Sequence, residues 1–338
     1  MTIPNTMKAV HLHDYTEGFE HLTVEEVPVP QPGPGEVLVK MAASPINPSD
    51  LMLISGIYGF RKDLPAVPGF EGSGTVVAKG PGLLPHLRVG SRVTVGSQRD
   101  EDGTWAQYTV AKGMMTLPFN KSLGFEQAAA LVVNPLTAYA MVDDVKRSGA
   151  RAFMQTAAAG TLGGMLWRVG KASGLMVINI VRRAEQVADL RAEGRAYVLN
   201  SSEDDFDDRL AALAKELQAT IALDAVAGEM VGRLVAALPR GGRVVVYGNL
   251  SGANVSAAPG QFILRDKRVE GFWLSQWIND ISLVRLLSVW RKVQGDASFR
   301  TPVRARYALD DINEALRTYS EQMSGGKVML RPDGELSG

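Results

Sequence analysis

The sequence predicts an α/β protein in which a doubly wound parallel sheet is inserted into a β-rich domain. The chain has 338 residues, of which 46% are hydrophobic, and this length favours two hydrophobic cores over one. Glycine and proline divide the sequence before residue 118 into short β-rich runs, whereas long Ala/Leu/Val segments alternate with short apolar runs after residue 123. The second pattern is typical of strand–helix–strand units on a parallel sheet.

In the first part of the chain, six runs have the composition of strands and are bounded by turn residues. They are KAVHL, LTVEEV, GEVLVKM, GSGTVVAK, SRVTVG and TWAQYTV. Between the third and fourth runs, PINPSDLMLISG predicts a loop and a short helix. Pro48 suits a first helical turn, and Gly56 suits a helix end.

The central part predicts six parallel strands. Their sequences are RAFMQTA (151–157), LMVINIV (175–181), AYVLN (196–200), TIALDAV (220–226), GRVVVYG (242–248) and VEGFWL (269–274). Helical segments such as LGGMLWRVGKAS and DDRLAALAKELQ are long enough for right-handed crossovers. From about Ala297 the sequence returns to strand–helix–strand material. We therefore expect a β-rich domain over 1–122, the parallel sheet over 123–296, and a return to the first domain over 297–338.

Charge and cysteine content narrow the classes of function. Lys plus Arg and Asp plus Glu both number 36, so no net field favours nucleic acid or an anionic membrane. The chain has no Cys, which excludes disulfides, thiol nucleophiles and Cys-ligated metal sites. No run approaches the roughly 20 apolar residues of a membrane span, and MTIPNTMKAV shows no targeting pattern. We expect a cytoplasmic protein with a small-molecule substrate.

Residues 154–164, MQTAAAGTLGG, lie between a predicted strand and a predicted helix. Small residues at this point let a pyrophosphate approach backbone N–H groups at a helix N-terminus, as in Rossmann domains. The pattern is A-x-x-G-x-x-G instead of G-x-G-x-x-G, so by itself it fits a tight packing turn equally well. The predicted cofactor contacts here are Ala159, Gly160, Thr161, Leu162 and Gly163.

Arg182 and Arg183 follow the next predicted strand. NAD-binding Rossmann domains carry an acidic residue at this point, about 20 residues beyond the glycines, to bind the ribose 2′-hydroxyl. Two guanidinium groups suit a 2′-phosphate instead. The sequence therefore predicts NADPH as the cofactor.

Other segments are expected to border the cofactor, because ligands of open parallel sheets bind beyond the carboxyl ends of the strands. Phe272, Trp273 and Trp277 also suit an apolar wall for an acyl chain or a quinone ring, or a core strand. The further predicted cofactor contacts are Asn134, Thr137, Tyr247, Gly248, Phe272 and Trp273.

The ordered set of motifs resembles the zinc-independent quinone oxidoreductase and 2-enoyl thioester reductase branch of the medium-chain dehydrogenases/reductases. The resemblance covers nearly the whole chain and rests on 46–50 (INPSD), 56–59 (GIYG), 64–72 (LPAVPGFEG), 102–105 (DGTW), 134–139 (NPLTAY) and 271–277 (GFWLSQW). It implies a GroES-like catalytic domain around a Rossmann NADPH domain, and a homodimer formed edge to edge through the Rossmann sheets.

The GIYG and GFWLSQW segments look most like the enoyl thioester reductases of mitochondrial type. This resemblance implies that Tyr58 acts on the substrate and that Arg182 and Arg183 hold the NADPH phosphate. Zinc-dependent relatives have a Cys near Asn47, a Gly-His-Glu where this chain has 69–71 (GFE), and a four-Cys lobe that is missing here.

We assign no metal from the sequence. His11 and His13 could share one face of a strand, but no third ligand is evident. Without a metal, hydride transfer to a plain ketone leaves an alkoxide with little stabilisation, whereas an activated double bond gives an enolate that hydrogen-bond donors can hold. Tyr58 is the candidate donor, although an exposed loop aromatic gives the same pattern. Asn47 is expected near the nicotinamide, although an Asn before Pro also suits a turn.

We therefore expect an NADPH-dependent, zinc-independent reductase of an activated C=C in an α,β-unsaturated carbonyl compound, with a 2-enoyl thioester as substrate. An NADPH:quinone oxidoreductase is the alternative, because a flat acceptor needs only the same hydride. A non-catalytic NADPH-binding sensor is a remote alternative. The absence of Cys contradicts a zinc-containing alcohol dehydrogenase.

Overall fold

The computed structural model describes residues 2–97 and 101–334. The chain forms two compact units: unit 1 comprises Met1–Asn134 and Arg300–Gly338, and unit 2 comprises Pro135–Phe299. The sequence placed these transitions at 122/123 and 296/297. Residues 123–134 belong to unit 1 because a short helix in this stretch, Phe125–Ala129, packs against three of that unit's strands.

In its first segment, the described residues of unit 1 form seven strands and three short helices. The strands are β1 (Thr6–Leu12), β2 (Leu22–Pro28), β3 (Glu36–Pro45), β4 (Glu71–Lys79), β5 (Arg92–Gly96), β6 (Tyr108–Lys112) and β7 (Leu117–Pro118), and the helices are α1 (Pro48–Ile54), α2 (Leu83–Arg88) and α3 (Phe125–Ala129). All six predicted strands are confirmed. The predicted short helix is confirmed as well, with Pro48 in its first turn and a positive φ of 71° at Gly56.

Unit 2 alternates strands and helices after α4 (Val133–Arg147), which begins in unit 1. The elements are β8 (Ala152–Gln155), α5 (Thr161–Ala172), β9 (Met176–Val181), α6 (Ala184–Ala192), β10 (Tyr197–Asn200), α7 (Phe206–Glu216), β11 (Ile221–Asp224), α8 (Glu229–Ala237), β12 (Arg243–Val246), α9 (Gly260–Ile263), β13 (Arg268–Gly271), α10 (Leu274–Asp280), α11 (Leu283–Gly295) and a 3₁₀ turn at Ala297–Phe299. All six predicted strands exist.

The sheet of unit 2 has the order β10-β9-β8-β11-β12-β13, and every neighbouring pair is parallel. This is the doubly wound order of a Rossmann fold, whose switch point lies between β8 and β11. The predicted sixth strand was too long, because β13 ends at Gly271, where its pairing with Val246 of β12 also ends. Phe272 and Trp273 lead instead into α10.

The chain then returns to unit 1 as β14 (Val303–Ala308), a 3₁₀ turn (Leu309–Asp311), α12 (Ile312–Glu321) and β15 (Lys327–Arg331), as the sequence predicts. The main sheet of unit 1 has the order β14-β15-β3-β4-β5-β7, and β6 pairs with β3. Strand β15 is antiparallel to β3, with Met329 opposite Pro45. Strands β1 and β2 form a separate antiparallel pair. The last strand of the chain therefore lies beside β3, which leads into α1.

Each unit buries its own apolar residues. In unit 2 the core includes Phe206, Leu210 and Leu234, all fully buried, and in unit 1 Trp105 is fully buried beside Ile46 and Leu330. Among the described residues, no helix combines the length and the apolar character that crossing a bilayer requires.

Candidate active site

The connection between β8 and α5 forms a tight turn at the switch point of the unit 2 sheet. Ala157 has a positive φ of 49°, and Gly160 precedes the helix with φ −75° and ψ 167°. Ala159, Thr161 and Leu162 are partly exposed. The first N–H groups of a helix have no intrahelical acceptor, and the N-terminus carries a partial positive charge. The turn therefore presents backbone donors suited to a pyrophosphate.

Gly163 is the glycine that this turn requires. A Cβ atom at residue 163 would lie 2.7 Å from both the carbonyl oxygen of Ala157 and the Cα of Ala158. A Cβ at Gly160 would lie 3.2 Å from the same Ala157 oxygen. Although the motif departs from G-x-G-x-x-G, it keeps Gly163, the glycine that lets α5 pack directly on the turn.

Three buried polar side chains hold the turn from below. The Gln155 amide donates to the Gly163 carbonyl (2.9 Å) and to Asn179 Oδ1 (2.8 Å). The guanidinium of Arg195, which is 5% exposed, donates to the Ala158 carbonyl at 2.9 Å and to Asn179 Oδ1 at 3.3 Å. Sequence reasoning missed these residues. The sequence did contain a signal, since Gln155 and Asn179 are each a polar residue within an otherwise apolar strand. These two residues are paired between β8 and β9.

Asp224 joins the two strands at the switch point. It ends β11 and is fully buried, and it accepts hydrogen bonds from Thr156 Oγ1 and from the Ala227 N–H, both at 2.7 Å. The Thr156 hydroxyl in turn accepts from the Ala225 N–H at 2.9 Å. Burial raises the pKa of Asp224, and these hydrogen bonds oppose the shift. The sequence analysis did not single out Asp224, which lies in an apolar run.

Arg182 and Arg183 lie directly after β9, the strand beside β8, and both are exposed. Arg183 Nε is 2.7 Å from Glu185 Oε1. The Arg182 side chain makes no hydrogen bond or ion pair with any residue that the structure describes. Unit 2 therefore presents a guanidinium group without an internal anion at the strand end where a ribose 2′-substituent binds in Rossmann domains.

Tyr247 and Gly248 follow β12, and Phe272 and Trp273 follow β13. Gly248 lies against the backbone after β11, since a Cβ there would be 2.8 Å from the Ala225 carbonyl oxygen. Phe272 is half-buried and Trp273 is 45% exposed. In a parallel sheet these segments share the carboxyl edge with the β8–α5 turn.

Two of the predicted cofactor contacts, and one residue of the predicted apolar wall, lie on helices. Asn134 and Thr137 are one turn apart near the start of α4, and both are buried. Trp277 of α10 packs against Tyr139 of α4, with ring centroids 6.5 Å apart. Trp277 therefore has a packing role in unit 2, whereas Trp273 stays accessible.

In unit 1, Asn47 is fully buried at the start of α1 and belongs to a polar network. Its side-chain amide donates to Glu71 Oε1 at 3.1 Å, and its Oδ1 accepts a hydrogen bond from Lys327 Nζ. The other Glu71 oxygen accepts the N–H groups of Val132 and Val133 at 3.1 and 2.8 Å. The amide of Asn47 thus links Glu71 of β4 to Lys327 of β15, and its predicted place near the nicotinamide stays a prediction.

Asp50 completes the network. Its carboxylate accepts the Asn47 N–H at 2.7 Å and the Phe70 N–H at 2.9 Å. Burial raises the pKa of both Asp50 and Glu71 and lowers the pKa of Lys327, while the attraction between the lysine and the two carboxyl groups opposes each shift. Lys327 was not identified from the sequence because its partners lie more than two hundred residues earlier in the chain.

Tyr58 lies in a cluster of aromatic rings. It is half-buried, and its ring centroid is 5.1 Å from that of Phe60 and 4.7 Å from that of Phe70. Its N–H donates to the Met52 carbonyl at 3.1 Å, which fixes the backbone after α1. The structure therefore supports the Tyr58 ring by packing, and Phe70, at the histidine position of zinc-dependent relatives, supplies part of that packing.

The residues at the zinc position do not fit a metal ion. Phe70 stands where the relatives have His, Asn47 lies near the position of their Cys, and the Lys327 ammonium lies beside Asn47 and favours the ionised forms of the buried carboxyl groups. A lysine side chain already occupies this site, so we derive no step through zinc.

Comparison with known proteins agrees with this architecture. Residues 33–124 match the alcohol dehydrogenase GroES-like domain, and residues 161–288 match the family described as zinc-binding dehydrogenase. The mitochondrial enoyl-[acyl-carrier-protein] reductase of Bos taurus is 32% identical over 286 residues, which cover 82% of this chain and 75% of that protein.

Two solved structures share the fold over almost the whole chain. A candidate NADPH:quinone reductase from Mesorhizobium loti has a TM-score of 0.91 and 36% identity, and the match covers 98% of this chain and all (100%) of that one. A mycobacterial protein solved as a complex with NADPH has a TM-score of 0.82 and 26% identity, with 96% and 100% covered.

A GroES-like unit and a Rossmann unit with these motifs define a medium-chain oxidoreductase. The chain belongs to the zinc-independent medium-chain dehydrogenase/reductase family.

A Gly163→Ala substitution should distort the β8–α5 turn. The added methyl group has no space, so we expect the free energy of unfolding to fall by about 1–3 kcal/mol and NADPH affinity to fall with it. Urea denaturation and fluorescence titration with NADPH measure the two effects. Gly295→Ala is the control, because a Cβ at Gly295 meets nothing within 4 Å. Equal behaviour of the two variants would contradict the assignment of Gly163.

Lys327→Met should destabilise unit 1 strongly. The substitution removes the cation beside two buried carboxyl groups and the donor to Asn47, so we expect a loss of about 3–5 kcal/mol in urea denaturation. Lys8→Met is the matched control, since Lys8 pairs with Asp310 at the surface, with the two side chains 51% and 57% exposed, and should cost at most about 1 kcal/mol. A small effect at Lys327 would show that the network does not depend on its charge.

Proposed function

We propose that this protein is an NADPH-dependent reductase of an activated C=C bond in an α,β-unsaturated carbonyl compound, with a 2-enoyl thioester as its substrate. One observation carries the proposal: Tyr58, a hydroxyl-bearing side chain, packs against Phe70 at the position where zinc-dependent relatives hold a metal ligand. A Brønsted donor in place of a Lewis acid suits an enolate, whose charge is spread over several atoms, better than a localised alkoxide. The 32% identity to an enoyl reductase supports the same substrate class.

NADPH is the proposed cofactor, and when bound it supplies the hydride. The backbone donors of 159–163 would bind the pyrophosphate, and Arg182 and Arg183 would bind the 2′-phosphate. Tyr247, Gly248, Phe272 and Trp273 would border the dinucleotide, as would Asn134 and Thr137 of α4. The Arg182 side chain has no ion-pair partner among the residues that the structure describes, which supports the preference for the phosphorylated cofactor. A related mycobacterial protein was solved with NADPH.

Tyr58 is the proposed catalytic residue of this chain. Its hydroxyl would donate a hydrogen bond to the substrate carbonyl oxygen as negative charge develops there, or deliver the proton that completes the reduction. Asn47 is proposed as a positioning residue, since its amide bonds to Glu71 and Lys327 and its backbone bonds to Asp50. It holds the start of α1, the helix that ends just before the Tyr58 loop.

An NADPH:quinone reductase is the second candidate. The relative from Mesorhizobium loti, at 36% identity over 98% of this chain, favours it. Quinone reduction needs a bound flat acceptor and the same hydride, but it places little demand on the Tyr58 hydroxyl. The two functions therefore differ in whether turnover depends on the Tyr58 hydroxyl.

The proposal is tested by NADPH oxidation with purified protein. Crotonyl and longer 2-enoyl thioesters are compared with benzoquinone and naphthoquinone. Faster turnover of the thioesters is expected. Turnover of quinones alone would establish the second candidate, and no turnover with either class would overturn both.

We also infer a homodimer, because β13 is an edge strand whose pairing with β12 is its only pairing among the described strands. Arg268 and Glu270 on β13 are exposed, and an open strand edge can pair with its counterpart in a second copy across a twofold axis. Light scattering of the purified protein should give twice the mass of the chain, and a monomer would exclude this interface.

Arg182→Asp combined with Arg183→Ser should reverse the cofactor preference. The double variant removes both charge-assisted partners of the 2′-phosphate and adds an acceptor for a ribose hydroxyl, so KM for NADPH should rise at least about tenfold. KM for NADH should fall. Arg191→Ser on the exposed part of α6 is the control. An unchanged KM for NADPH would refute the assigned role of the pair.

Tyr58→Phe should remove the hydroxyl and keep the aromatic packing. We expect kcat with an enoyl thioester to fall by about 10²–10⁴-fold, while NADPH affinity and quinone turnover stay near those of the wild type. Tyr197→Phe in unit 2 is the control. Unchanged enoyl turnover would remove Tyr58 from the mechanism.

A further inference from the structure

Two histidines and one glutamate come together on the β1–β2 pair of unit 1. His11 lies near the end of β1 and His13 directly follows this strand, and their ring centroids are 5.9 Å apart. In the antiparallel pairing of β1 with β2, Thr23 lies opposite His11 and Glu25 lies opposite Ala9. Since paired residues share a face and alternate residues of β1 do as well, Glu25 lies on the face of His11.

The three side chains are close enough to share one ion. Glu25 Oε2 is 3.0 Å from His11 Nδ1, and Glu25 Oε1 is 2.5 Å from His13 Nε2. One ligand atom from each residue lies within 4.8 Å of the others. In a tetrahedral zinc site with bonds of about 2.0–2.2 Å, ligand atoms are about 3.3 Å apart. Small side-chain rotations therefore convert this cluster into a metal-binding geometry.

The chemistry of the three groups also suits a metal. Glu25 Oε1 accepts a hydrogen bond from the Thr23 hydroxyl at 2.7 Å, which holds the carboxylate beside the two imidazoles. His11 Nδ1 is buried, and although Glu25 Oε2 lies 3.0 Å away, the two atoms do not have the geometry of a hydrogen bond. Two imidazoles and one carboxylate form a donor set that divalent zinc, nickel and copper accept.

We propose that His11, His13 and Glu25 form a binding site for a divalent transition-metal ion, with zinc as the ion tested here. The histidines had no evident third ligand in the sequence, and the third ligand comes from the neighbouring strand. The site leaves one coordination position for water or a second ligand. It lies outside the Tyr58 and Lys327 clusters and involves no redox step, so it is independent of the proposed reductase function.

The ion would join the end of β1 to the middle of β2, on either side of the intervening loop. Tyr15, two residues after His13, reaches out of this loop: its hydroxyl donates to the Lys62 carbonyl at 2.8 Å and accepts the Lys62 N–H at 2.6 Å. Arg61 lies over the Tyr15 ring, 5.0 Å from its centroid. A metal at this site would therefore stabilise the hairpin that contacts the segment after Tyr58.

The experiment uses full-length, tag-free protein that has been treated with chelator and returned to chelator-free buffer. Zinc is added as the chloride and binding is followed by titration calorimetry, with thermal melting as an independent measurement. We expect one zinc ion per chain and a higher melting temperature with zinc in excess, because a ligand that binds only the folded state stabilises it.

Two variants locate the site. His13→Asn and Glu25→Gln each remove one ligand from a partly exposed side chain, 47% and 36% exposed respectively, and should weaken zinc binding at least about tenfold. His86→Asn is the control, because His86 is an exposed histidine bonded to Lys79. The metal-free melting temperature of each variant verifies folding. Absence of stoichiometric zinc in the wild type, or equal affinity in His13→Asn, Glu25→Gln and the wild type, would overturn the proposal.

Discussion

The burial of Asp50 and Glu71 is the constraint on which unit 1 depends. Ionised carboxyl groups are costly to remove from water, and the cost is met only when charge and hydrogen bonds compensate it. Here the compensation comes from Lys327, from the Asn47 amide and from backbone N–H groups of Phe70, Val132 and Val133. These partners belong to β15, α1 and the segments around β4 and α4, so one network fixes the relative positions of elements that are far apart in sequence.

The same network explains how a chain of this family dispenses with a metal at this position. The carboxyl groups remain, but a lysine supplies the positive charge, and Phe70 turns the neighbouring position into a support for Tyr58. Because the ammonium is held inside unit 1, it stabilises structure and is not offered to a substrate. Tyr58 is then the proposed proton or hydrogen-bond donor to the substrate. This role is the physical basis of the proposed preference for an activated double bond.

Structural features that depend on residues close together in the sequence were predicted well. The strands of both units and the glycine turn follow from apolar runs, helix-start residues and small residues within about ten positions. Contacts between distant segments were not: Lys327 beside Asn47, Arg195 under Ala158, and Glu25 beside His11 depend on which strands become neighbours. The end of β13 was misjudged for a related reason, since Phe272 and Trp273 suit a strand by composition but lie beyond the end of β12, its pairing partner.

Lys327 lies 280 residues after Asn47, so it leaves the ribosome long after the residue it contacts. Unit 2 is continuous and is complete once Phe299 has emerged, so it can fold while synthesis continues. The first strands of unit 1 lack this independence, because Asp50 and Glu71 are without their cation and β3 is without its neighbour β15 until the segment with Lys327 appears. Unit 2, which is made after the first segment of unit 1, is thus the first that can fold, and the end of β3 stays without its partner β15 throughout that interval.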